Sequence, residues 1–409
     1  MPSIPGPRRS ACLALALAAL ALAGCGDSGD TTEGEDVTVS VGNAGSVDWP
    51  FFGRVPERTH YLPAQAGLLD PPLKPVWRIN THALIEFPPA IAGGVAYVIN
   101  KYGNAKAVRL RDRKVLWEVM NRASDRGTPN FVTAPVYYEG RIYGAFLGGE
   151  VVAGDAATGR TVWRRRLPGH LESSPMAAEG IIYLGTDTTD VVALRAGDGA
   201  PRWRTNLPAA IKASPSFHDG RLYVADYQSS MYGLNAATGQ VLWRTNTSKA
   251  PPYGRGGFFS SPAVGFGHVY AARDDGTVFA LDEKTGKIVW SFDSGGPIYG
   301  SPALAQVPGT PPTVYIGAEN GRFYALDAAT GKPQWSYEVG GPVPGTATVI
   351  GHTAYTSSFK TDRTIGLDVL THKKTFELKQ AGYTPVVSDG SKLYLVGYYV
   401  VIGLEPTPR

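Results

Sequence analysis

The chain has 409 residues, 43% of them hydrophobic, two cysteines and a formal charge of +4. A charge so close to neutral argues against a nucleic-acid partner, and the composition is that of a folded, cysteine-poor domain. The length exceeds the usual single-core limit of about 250 to 300 residues, so the core must be divided among units.

The first 25 residues, "MPSIPGPRRSACLALALAALALAGC", place Arg8 and Arg9 before a short Ala/Leu run that ends in small residues. This is the pattern of a secretory signal, too short for a membrane span. Its end, "LAGC" at 22–25, resembles the bacterial lipobox, which implies cleavage after residue 24 and a lipid on the Cys25 thiol. Removing residues 1–24 takes away Arg8 and Arg9 and no acid, leaving a charge of about +2. Residues 25–47 then form the lipidated cysteine and a tether. Asp27, Asp30, Glu33, Glu35 and Asp36 stand there among Gly, Ser and Thr, with no Lys or Arg, a composition that favours disorder. A segment at 48–72 contains "DWPFFGRVPERTHYLP" and precedes the main domain, which is assigned to 73–409.

From there the chain repeats. Trp77, Trp117, Trp163, Trp203, Trp243, Trp290 and Trp335 recur at 40 to 47 residues, and Phe376 holds the eighth place. Upstream blocks such as "SSPMAAEGIIYLG" (173–185), "ASPSFHDGRLYVA" (213–225) and "SSPAVGFGHVYAA" (260–272) recur with them, as do the phrases "LNAATGQVLW" (234–243), "LDEKTGKIVW" (281–290) and "LDAATGKPQW" (326–335). Each unit reads as four short strands, rich in Tyr, Val and Ile and separated by Gly, Asp and Asn. In the segment "DAATG", the Asp accepts backbone N–H bonds and the Gly supplies a positive φ. Tandem four-stranded units of this length are the signature of an all-β fold, the β-propeller.

The two ends fit together. The last unit, "TPVVSDGSKLYLVGYYVVIGLEP" (384–406), has three strands and no closing Trp, whereas "LKPVWRIN" (73–80) has the Trp strand alone. Pairing them gives eight blades, beginning near Phe87, Thr133, Ser173, Ala213, Ser260, Gly300, Thr346 and Thr384, and removes the exposed strand edges.

These units resemble the pyrroloquinoline-quinone-like (PQQ-like) repeat, A-L-D-x-x-T-G-x-x-x-W, and residues 48–63 look like the W-P-x-F-G-x-x-x-x-R-T segment that often precedes such a propeller. The resemblance implies the fold. For function it points two ways, because the family includes lipoproteins of outer-membrane β-barrel assembly such as BamB, and also calcium- and quinone-dependent alcohol or sugar dehydrogenases. The dehydrogenases typically lay the quinone on a Trp floor, often under a disulfide between adjacent cysteines. Here seven of the eight tryptophans are repeat residues and the eighth, Trp49, precedes the ring; Cys12 leaves with the signal and Cys25 is taken by lipid. Nor do the residues themselves suggest a catalytic or metal site. The seven histidines have no close ligand spacing, and His218, His268 and His352 all fall at the turn between first and second strands. "RDDGTVFALDEKTG" (273–286) lacks the order of a calcium loop, so Asp274 and Asp275 read as hairpin-turn residues. The expectation is a monomeric, lipid-anchored extracytoplasmic scaffold that binds protein partners of the envelope, with no cofactor; a PQQ-dependent dehydrogenase is the alternative.

Partner binding is expected on the face where one blade's outer strand connects to the next blade's inner strand. Two of those connections are long, "VMNRASDRGTPNFVT" (119–133) and "TNTSKAPPYGRGGFFS" (245–260). They pair Arg126 with Phe131, and Arg255 with Tyr253, Phe258 and Phe259, residue types enriched at interfaces. Just ahead of the inner strands, Glu86, Glu172, Lys212, Phe259, Tyr299 and Tyr383 are expected to ring the channel mouth.

Overall fold

The computed structural model describes residues 47–63, 68–120, 133–252, 254, 256–379 and 386–407. The signal, Cys25 and the tether lie outside them. The described chain forms eight antiparallel sheets of four strands, seven of them in sequence order and the eighth drawn from both ends of the ring, with one sheet extended by a fifth strand. Blade 3 is representative: Met176–Ala178 innermost, then Ile181–Gly185, Asp190–Arg195 and Pro201–Asn206. Inner and middle strands are almost wholly buried, while the outer strand alternates, because only its inward side meets protein.

Blade 8 is assembled from both ends of the ring. Leu73–Asn80 pairs antiparallel with Val400–Pro406, so that Trp77 stands opposite Gly403. Its core joins Trp77, Val387 and Leu393 to Ile91 and Val98 of blade 1 on one side and to Ile350 and Tyr355 of blade 7 on the other.

The repeated phrase is a socket for the preceding blade. In blade 2, Asp155 Oδ1 accepts from the Thr158 N–H (2.8 Å) and hydroxyl (2.6 Å), and the same bond pair recurs at Asn235, Asp282, Asp327 and Asp368. Into that turn the neighbouring indole inserts: Trp117 Nε1 donates to Ala156 O (2.8 Å), Trp163 to Ala196 O, Trp203 to Ala236 O, Trp243 to Glu283 O and Trp290 to Ala328 O. The glycine serves two purposes. Gly239 has φ +74°, and a Cβ there would lie 2.6 Å from Trp203 Cε3. Where the turn has Arg113 (φ 63°) or His372 (φ 59°) instead, the bond is missing. The buried Trp77 Nε1 has no partner, and Trp335 stacks on the His372 ring at 5.0 Å.

A second device joins blades at the axis. In blades 3 to 6 the Ser of the Ser-Pro ahead of the inner strand, and in blade 7 Thr346, turns its hydroxyl toward the preceding blade. Ala134 N–H donates to Ser174 Oγ (3.1 Å), Ser174 N–H to Ser214 Oγ (2.8 Å), Ser214 N–H to Ser261 Oγ (3.1 Å), Ser261 N–H to Ser301 Oγ (3.0 Å) and Ser301 N–H to Thr346 Oγ1 (2.9 Å).

The segment before the ring is a strap across the far end of the channel. Trp49 and Ile91 exchange backbone bonds, Tyr137 N–H donates to Pro50 O, Phe217 to Pro56 O, Val264 to Glu57 O, Leu304 to Thr59 O and Val349 to His60 O. Tyr61–Leu62 then adds to blade 7 as a parallel fifth strand, and Val47 N–H reaches Asp389 O of blade 8. Blade 3 is met by a side chain, since the Arg58 guanidinium donates to Pro175 O at 3.2 Å. One aperiodic segment therefore touches every blade.

Candidate functional site

The strap leaves the channel blind at one end and open at the other. The open cavity holds about 390 Å³, within the usual range for binding pockets of about 300 to 1,000 Å³. Glu86, Glu172, Lys212, Phe259 and Tyr299 stand at its mouth, where the sequence puts them, because each immediately precedes an inner strand. Lys212 Nζ meets Glu172 Oε1 at 3.0 Å, a half-exposed pair worth under about 1 kcal/mol. The same ammonium lies over the rings of Tyr227 (4.9 Å) and Phe259 (5.3 Å), which hold it in place. Tyr227, Phe259 and Tyr299 form an edge-to-face row across three blades, with centroids 4.9 and 5.9 Å apart. Partial burial pushes the Glu86 carboxyl up, opposed by the charge of Lys101.

Phe258 must be reassigned. It was expected as an exposed anchor, but it is fully buried against Phe279 and Val264 in the core between blades 4 and 5. The reason is the way the long connection is tied down. Arg273, with no exposure, donates to Pro252 O (3.3 Å), Gly254 O (3.2 Å) and Thr247 Oγ1 (3.3 Å) and pairs with Asp275 at 2.6 Å, while Ser229 Oγ donates to Gly256 O at 2.6 Å. Stitched to the ring, the loop turns Phe258 inward and leaves Phe259 at the rim. Asp275 is also a turn residue, accepting from Thr277 N–H at 3.1 Å. Tyr253, Arg255, Arg126, Phe131 and Tyr383 lie outside the described residues, as does Cys25.

The floor of the channel is built by strap residues that lie outside the repeat. Arg58, fully buried, donates from Nε to Pro215 O (2.7 Å), from Nη1 to Phe52 O (2.6 Å) and from Nη2 to Pro175 O and Ser174 O (3.2 and 3.5 Å). Burial pushes its guanidinium down to about 9, still charged at neutral pH. Beside it His60 is buried with neither ring nitrogen partnered, and burial together with the Arg58 charge pushes it down to about 3. Phe52, edge-on to His60 (4.9 Å) and Phe87 (5.9 Å), faces the cavity. The R-T of the pre-propeller segment and the repeated Ser-Pro were the available signals.

A family model described as outer membrane protein assembly factor BamB matches residues 73–168, 147–291, 245–309 and 274–406. The chain belongs to that family. The BamB model's matched span begins and ends with the two strands, Leu73–Asn80 and Val400–Pro406, that complete blade 8. Among curated relatives, the dehydrogenase subunit of alcohol dehydrogenase (quinone) of Gluconobacter oxydans (strain 621H) is 29% identical over 139 residues, covering 32% of this chain and 18% of that protein. The corresponding subunit of Acetobacter aceti is 25% identical over 125 residues, covering 28% and 17%. The matched stretch thus spans less than a fifth of either relative. Among solved structures, BamB from Moraxella catarrhalis superposes with TM-score 0.67 at 15% identity, covering 81% of this chain and 99% of that one. Quinohemoprotein alcohol dehydrogenase from Comamonas testosteroni gives 0.73 at 16%, covering 88% and 81%. At such identities the two likenesses speak for the fold alone.

Proposed function

We propose that the chain is a lipid-anchored extracytoplasmic propeller that holds a protein partner of the bacterial cell envelope on its channel-mouth face. The observation that carries this reading is that Tyr227, Tyr299, Phe359, Tyr398 and Tyr399, each more than a third exposed, all stand on that one face, with Lys212 held over the Tyr227 ring at 4.9 Å. The opposite face presents polar turns of both charges, among them Asp112 paired with Arg109 and Asp198 paired with Arg195. Exposed aromatic groups beside a held cation are the chemistry of interface anchors. Membership of the BamB family supports the reading, and among the described residues no helix is long and apolar enough to cross a membrane. The test is a photo-crosslinking residue in the full chain, placed at Tyr299 or, on the other face, at Asp219. An envelope protein should be trapped from Tyr299 and not from Asp219; the reverse would overturn the choice of face. Cys25→Ala should release the protein from the membrane fraction.

The similarity to quinone alcohol dehydrogenase subunits keeps a second reading, oxidation of an alcohol or sugar with PQQ and Ca²⁺. The residues fit that pair poorly. Among the described residues no Trp faces the cavity, its carboxylates are Glu86 and the Lys212-bound Glu172, and no three His, Cys, Asp or Glu are grouped to hold a metal. Dye-linked oxidation after addition of quinone and Ca²⁺, with stoichiometric bound quinone, would establish this reading over the first.

A further inference from the structure

The channel contains two features that a protein-docking rim does not require. The first is Arg58. Its four guanidinium contacts are all to carbonyl oxygens, and no carboxylate joins them. A fully buried cation without a counter-charge is costly to keep, and its field is weakly screened toward any space walled by protein. That space is the cavity: the Phe52, Ser174 and Ser214 that face it belong to the same short stretches whose carbonyls hold Arg58.

The second feature is the hydroxyl belt. Ser174, Ser214, Ser261, Ser301 and Thr346 all face the cavity and all are nearly buried. Each oxygen accepts a backbone N–H from the preceding blade, and among the described residues none donates to a protein acceptor. A hydroxyl has one proton to give and two lone pairs. With one lone pair used by the backbone, each of the five retains its O–H for whatever occupies the axis. The belt is therefore rich in donors, above a buried positive charge.

The rim does not cancel this polarity. Glu172 is paired with Lys212, and Glu86 has the Lys101 charge nearby. Both lie at the mouth, two or more residues ahead of the belt along their strands. Phe87, Phe259 and Tyr299 would cover the apolar part of a ligand whose charged end points inward.

We propose that the blind channel is a carboxylate-binding cup, in which the five hydroxyls donate to the anion over the buried Arg58 guanidinium. The carboxylate comes either from a small free acid or from the end of a partner's chain. The inference rests on the reading of the channel mouth as the binding face, but its test needs no partner, so the two can fail separately.

Malonate and its uncharged analogue malonamide are titrated into the full chain at constant ionic strength, with binding followed by calorimetry and saturation-transfer NMR. Malonate should bind saturably and malonamide should not. Ser214→Ala with Ser261→Ala should weaken malonate by about tenfold or more, since each lost donor to a charged group matters at that scale. Ser214→Thr with Ser261→Thr should retain binding, and thermal unfolding confirms that each variant is folded. Absence of saturable malonate binding, equal binding of malonamide, or undiminished binding in the folded double-alanine variant would overturn the proposal. If the double-alanine variant does not fold, the wild-type comparison of malonate with malonamide decides. A short Gly/Ser peptide with a free C-terminus, run against its C-terminal amide, separates the sources. Displacement of malonate by the free-ended peptide alone assigns the cup to a chain end, and malonate binding untouched by either peptide assigns it to a small acid.

Discussion

On one face of the ring the same turn is made again and again, with Asp155, Asn235, Asp282, Asp327 and Asp368 each accepting the N–H and hydroxyl of a Thr three residues on. On the other face the residues that follow the second strands barely repeat: Asn100, Phe146, Thr186, Asp226, Arg273, Ala318, Phe359 and Tyr398. The difference follows from what each face touches. A turn that receives the neighbouring blade's Trp must have one shape, because every blade meets the next in the same way. A turn that meets only what lies outside the ring is free to differ, and there the aromatic groups and Lys212 collect.

The largest effect expected is from deletion of 73–80. It removes the outer strand of blade 8 and uncovers the core shared by blades 8, 1 and 7, so the cooperative thermal transition should be lost. A wild-type melting curve would mean that blade 8 is not needed to hold the ring. Next come the tryptophans on the repeated face. Trp243→Ala should cost about 3 to 5 kcal/mol in denaturant unfolding, as for other large buried aromatic residues. On the other face Tyr299→Ala should cost about 0.5 kcal/mol or less while abolishing partner capture. Equal losses of stability would break the contrast between the faces.

A pair of glycines sharpens it further. Gly239 (φ +74°) and Gly180 (φ +75°) have the same backbone, but a Cβ on Gly180 meets nothing within 4 Å, whereas one on Gly239 strikes Trp203. Gly180→Ala should cost about 1 to 2 kcal/mol, the left-handed penalty alone, and Gly239→Ala clearly more. If the two cost the same, the close approach of Trp203 has no energetic weight.

The pH dependence separates two histidines that act with opposite sign, the larger effect at His60 and the smaller at His218. His60 titrates near 3 when folded and near 6.5 when unfolded, so between those values the unfolded chain binds the extra proton. Stability should fall as the pH drops through that window, and His60→Leu should flatten the fall. His218 is raised by its hydrogen bond to the strap's Glu57 (3.1 Å). Its contribution is full below the unfolded value of 6.5 and is lost as the pH rises through the folded one. His218→Gln should remove that alkaline loss, by a small amount because the pair is half-exposed.

What was legible in the sequence was what repeats. The Trp interval, the T-G phrase and the half-unit at each end are each dictated by contacts made many times over, so blade number and strand content follow from spacing. Phe258 and Phe259 show where that logic stops. They are adjacent and identical in type, they lie in a connection without periodicity, and one is core while the other is rim because Arg273, a residue of the next blade, pulls the loop down. The strap is illegible for the same reason. Its backbone bonds carry no residue preference, and only Arg58 and Trp49 mark it.

The strap also decides how the ring responds to force. A pull on the chain ahead of Val47 reaches the domain at blade 8 through Val47 and Asp389, then at blade 1 through Trp49 and Ile91, and from there blade by blade. The load meets these attachments in series, so each must yield before the next is strained. Arg58, fastened by four contacts midway along, is a knot in that line, and traction at the N-terminus is taken up by the strap before it can pull neighbouring blades apart.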